Sequence, residues 1–203
     1  MQYAVPVAFA VLVWWISTGA ILYLVGLPRQ TYKTSMAWAT VLVGLALVGV
    51  ASTSEDKSVA GAYLAFTLSV GVWGWHEMSF LTGMVTGPRT EPIDPETGGF
   101  KRFASATATL LYHEIAIALT VPVLAVLTAE GANRTALWTF VVLWIARLST
   151  KLNIYLGVAN LTEAFLPGHL DYLKTYFRKR PMNGLFPFTV TLATVAVAVL
   201  AHR

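Results

Sequence analysis

The sequence predicts an all-α protein, a polytopic bundle of transmembrane helices forming one membrane domain over residues 1–203. Three observations carry this. Hydrophobic residues make up 56% of the chain and charged residues 12%, about half the charged share of a soluble domain. Mean hydropathy is +0.63. Apolar stretches of about 20 residues recur, and each could cross about 30 Å of hydrocarbon as a helix.

Six spans follow, at about 3–27, 35–52, 59–85, 104–129, 135–159 and 184–201. The first has no basic residues ahead of it and exceeds a signal peptide's apolar core of about 7–15 residues, so a retained span is expected. Gly44 in the second, and Gly71 and Gly74 in the third, allow close helix contact. Residues 86–103 hold three prolines, three glycines and six charges, which excludes a continuous helix there. At about 167–180 a cytoplasmic interfacial helix is expected. Leu166, Leu170, Leu173 and Phe177 form its apolar stripe, Tyr172 and Tyr176 suit the headgroup level, and Pro181 stops it.

The basic residues set the orientation. Loops one, three and five hold Arg29, Lys33, Arg89, Lys101, Arg102, Lys174, Arg178, Lys179 and Arg180; the other side holds Lys57, Arg134 and Arg203. The bias places those three loops in the cytoplasm and both termini on the non-cytoplasmic side. The net charge of +4 therefore marks membrane edges, not a nucleic-acid partner. There are no cysteines, which excludes disulfides, thiolate-bound zinc and iron–sulfur clusters. Asn133-Arg134-Thr135 matches a glycosylation sequon, a pattern short enough to arise by chance.

The chemistry concentrates in a repeated dipeptide. His76-Glu77 and His113-Glu114 lie in successive apolar runs, where an ionisable group needs a partner or a job. Each histidine is nine residues from its span's cytoplasmic edge, about 14 Å deep at 1.5 Å per residue. Lys151 falls near the same depth, and Arg147 lies one turn away on the same face. The charge partners expected in this layer are Arg147, Lys151 and Asn153.

Four readings stay open. Ion pairs could act as glue between spans. His76 and His113 are candidate ligands for a bacteriochlorophyll-type tetrapyrrole. His76, Glu77, His113, Glu114, Glu163 and His169 are candidate ligands of a non-haem metal in a di-iron-like enzyme with a lipophilic substrate. Adjacent His and Glu point about 100° apart, which weakens the usual Glu-x-x-His template. Proton or substrate translocation is the fourth reading.

The blocks WHEMSFLTGMVTGPR, LLYHEIAIALT, FPFTVTL and the long run from Leu137 to Asn183 resemble the photosynthetic complex assembly proteins of the PuhE type, over about residues 73–195. The resemblance implies a multi-pass protein of a bacterial inner membrane, cytoplasmic or intracytoplasmic. It implies an assembly factor for reaction-centre and light-harvesting complexes, possible handling of bacteriochlorophyll, and partners among their subunits and pigment-synthesis proteins. It carries no catalytic residues to this chain.

Overall fold

The computed structural model describes residues 3–161 and 163–202. It is all-helical, with α1 (Ala4–Gly26), α2 (Tyr32–Thr53), α3 (Val59–Leu81), α4 (Gly99–Ala108), α5 (Leu111–Leu127), α6 (Thr135–Leu156) and α7 (Leu185–Ala201). Short 3₁₀ turns occupy Arg29–Thr31, Glu163–Phe165 and Gly168–Tyr176.

Local chemistry fixes the ends of the central helix, α3. At its start the Ser58 hydroxyl accepts from Gly61 N–H at 3.0 Å, satisfying one of the free amides of a first turn. Just beyond its end Gly83 takes φ +77°, the left-handed conformation in which glycine avoids a Cβ clash. Gly157, after α6, takes φ +119°, and the Arg180 side chain packs where its Cβ would stand.

The core joins four helices. Val50, Ala65, Trp73, Ile117, Leu124 and Phe140 form one buried cluster from α2, α3, α5 and α6. Ser69 donates from α3 to the Ala136 carbonyl of α6 at 2.8 Å. Asn133, the sequon residue, is buried and donates to the Thr53 carbonyl, tying the α5–α6 turn to the end of α2. Outward-facing side chains such as Trp15, Trp38, Val48 and Leu200 are large and apolar. Lipid tolerates such a surface where water would not.

Two helices, α1 and the stretch Arg29–Thr53 containing α2, are each long and apolar enough to cross a membrane. The α4–α5 pair passes the same test when counted together. α3 and α6 have sufficient length but fall short of the apolar composition of those spans. α7 is apolar at 17 residues, short of the usual span of about 20.

Two sequence expectations differ in detail. The fourth span, expected as one helix over 104–129, is broken at Thr109–Leu110, and its halves bend by 64°. Backbone from the α3–α4 loop fills the break. Arg89 N–H donates to the Ala108 carbonyl, and His113 N–H donates to the Thr86 carbonyl at 2.9 Å. Gly87 is required for that approach, because a Cβ there would lie 2.1 Å from the Ala108 oxygen.

The second difference concerns the expected interfacial helix. Residues 168–176 form a 3₁₀ turn that buries its stripe against protein. Leu170 and Leu173 pack on Phe80. Tyr176 is buried, accepting from Arg89 Nε at 2.7 Å and donating to the Glu91 carbonyl at 2.9 Å. Arg102 bonds the Tyr176 carbonyl at 2.8 Å. An apolar stripe fits a protein groove as well as a lipid surface, and Phe80, Leu81 and Leu110 line the groove here.

Candidate functional site

The break in the fourth span brings the two dipeptides together. His76 in α3 and His113 in the first turn of α5 are both buried, with ring centroids 6.4 Å apart. Around them stand Phe80, 4.9 Å from the His113 ring, and Phe140, 5.7 Å from that of His76. His76 Nε2 lies 2.9 Å from the Thr120 hydroxyl. That hydroxyl gives its one proton to the Ala116 carbonyl at 3.0 Å. Nε2 therefore carries the hydrogen and donates. Among the described residues, His76 Nδ1 and both ring nitrogens of His113 have no hydrogen-bond partner.

The glutamates point elsewhere, as the helical offset between neighbours requires. Both reach α6. Arg147 donates to Glu77 at 3.0 Å, and Lys151 donates to Glu114 at 2.5 Å. Trp144 Nε1 gives Glu114 a second bond at 3.0 Å. The Lys151 ammonium also stands 5.7 Å over the Phe80 ring. Each His-Glu dipeptide thus splits into half of an imidazole pair and half of an interhelical ion pair.

The remaining candidates lie apart. Asn153 is buried on the side toward α7, bonded by Asn183 at 3.1 Å. Glu163 is exposed in its short turn. His169 packs beneath the end of α3, its ring 5.9 Å from that of Tyr32. Among the described residues no group of three or more His, Asp or Glu could hold a metal ion. Glu77 and Glu114 instead have basic partners.

The His169 imidazole titrates below its ordinary value, chiefly because burial disfavours the charged ring and then because Arg29 is near. The folded state consequently binds fewer protons than the unfolded chain. The stability this lends is complete above the unfolded value of about 6.5 and is lost as pH falls through the lower folded value. Amide protection of residues 168–176, corrected for intrinsic exchange, should decline below about pH 6.5. A His169→Gln variant should flatten that decline.

The sequence gives no direct sign of one further feature. A cavity of about 660 Å³ opens between α1, α3 and α6, with Leu161, Phe165 and Leu173 also in its lining. Trp14, Trp73 and Leu143 supply apolar wall, and Glu77, Arg147 and Lys151 supply its charge. Thr109 and Leu110, at the break in the fourth span, also line it. Neither His76 nor His113 reaches this wall.

The family described as "Protein of unknown function (DUF3623)" matches residues 1–203. The chain belongs to this family. It is also 39% identical over 197 residues to a Rhodobacter capsulatus protein described as an uncharacterized 30.4 kDa protein in the puhA 5′ region. That alignment covers 95% of this chain and 72% of the relative. No solved structure matches.

Proposed function

We propose that this family member serves photosynthesis as an intramembrane factor in building pigment–protein complexes, holding a lipophilic cargo of bacteriochlorophyll type in the α1–α3–α6 cavity. The observation that carries the reading is the relative whose gene lies beside puhA. The geometry supports it. A volume of about 660 Å³ lies within the usual range for ligand pockets, roughly 300–1,000 Å³, and the aromatic wall suits a flat apolar guest. The break in the fourth span puts irregular backbone at a cavity, the setting in which membrane proteins tolerate it. Six spans with the Arg29, Arg89 and Lys174 loops in the cytoplasm belong to the same reading. Labelling of single cysteines placed in this cysteine-free chain tests that topology; a Lys57→Cys site reacting from the cytoplasmic side would overturn it.

Deleting the gene from a phototrophic host should lower the near-infrared absorbance of reaction-centre and light-harvesting complexes several-fold. Complementation with the wild-type chain should restore it. Unchanged absorbance in the deletion strain would remove the proposal.

A second reading, a scaffold locked by ion pairs, is favoured by the Arg147–Glu77 and Lys151–Glu114 contacts alone. It predicts no cargo.

A further inference from the structure

We infer that the cargo is an amphiphile with one acidic head group, seated on Arg147, and an apolar body lying along Trp14, Trp73 and Leu143. The inference rests on the cavity reading above and adds the chemistry of its ligand. The first observation is the charge a guest would meet. Glu77, Arg147 and Lys151 line the cavity, whereas Glu114, the partner of Lys151, does not. The wall therefore shows two bases and one acid.

The second observation is unused donor capacity. Arg147 contacts Glu77 through Nη2, which leaves its other terminal N–H groups without a partner among the described residues; its Nε and Glu77 Oε1 are unpartnered too but are closed off from the cavity. A guanidinium carries five N–H donors in a planar fork, so it can bridge two carboxylates. Its side chain remains 36% exposed, and it stands on the cavity wall. A wholly apolar guest would leave this cation against hydrocarbon, which costs free energy. A carboxylate or phosphate accepts the spare terminal N–H groups.

The third observation is where the polar lining gathers. Arg147, Thr150, Lys151 and Tyr155 stand on α6 among Leu143, Ala146 and Ile154, while α1 contributes Trp14, Ile21 and Leu22 beside Ser17 and Thr18. A guest with its head at Arg147 keeps its body on the apolar residues around it.

The test titrates purified protein in detergent with pheophorbide a, which has a free carboxyl group, and with its methyl ester, following quenching of tryptophan fluorescence. The acid should bind at least tenfold more tightly than the ester. Arg147→Gln should cut that preference to less than about twofold, with far-ultraviolet circular dichroism certifying the variant as folded. Equal affinity of acid and ester for the wild-type chain overturns the head-group inference and leaves the cavity reading standing. Failure of both to bind removes the cavity reading as well. Oleate competing with pheophorbide a supports an acidic head shared with lipids; no competition supports one specific to a tetrapyrrole acid.

Discussion

Replacing Lys151 by methionine should destabilise the protein by about 3–5 kcal/mol, the usual effect of removing one partner of a buried ion pair. Glu114 would keep its Trp144 bond but lose the only base it contacts among the described residues. Both side chains are largely buried, at 14% and 21% exposure, so solvent cannot replace the lost partner. Lys151→Met combined with Glu114→Gln should recover most of the loss, because no charge remains to compensate. Thermal melts of the three variants in one detergent check this. A Lys151→Met protein that melts with the wild type would show that Glu114 has no need of its base. Arg147→Gln should have a smaller effect, since Arg147 is more exposed and faces a cavity.

The opposite sign is expected at His113. Its ring is 1% exposed, with no partner for either nitrogen among the described residues. Burying such a group costs about 1–3 kcal/mol. His113→Leu should therefore melt no lower than the wild type, and higher by up to about 2 kcal/mol on the same accounting. The backbone bond to Thr86 survives the change. Buried polar groups without partners persist in proteins where function uses them. The same variant in a phototrophic host should accordingly assemble several-fold less complex, despite its stability. A melting temperature well below the wild type would show that the imidazole is structural glue.

These opposed signs mark how far the sequence could be read. The all-helical class was legible because an apolar composition in runs of about 20 residues admits few alternatives. The link between His76 and His113 was also legible, as were Arg147 and Lys151 as the bases nearby. The route to their proximity was not: α4 and α5 break at Thr109–Leu110, and Thr86 bonds into the gap. No proline or glycine marks that break in the sequence; its cause is tertiary, and Gly87 is its nearest local trace.

The fate of Leu170 and Leu173 teaches the same lesson. Their spacing specifies an apolar face but not what covers it, and Phe80 covers it here. Asn153, expected among the charge partners, turns toward Asn183. The cavity could not be read at all, because it depends on how α1, α3 and α6 fail to close on one another. The 100° offset between adjacent helical residues does account for the parting of each histidine from its glutamate.

The central claim is that the cavity holds a pigment-type cargo. The most direct measurement is the absorbance spectrum of the protein purified gently from phototrophically grown cells, beside that of a Thr150→Trp variant whose indole would enter the cavity. Bacteriochlorophyll-type absorbance in the wild type, and its loss from a variant that melts normally, is the expected result. A colourless wild-type protein, or equal pigment in both, would contradict the account.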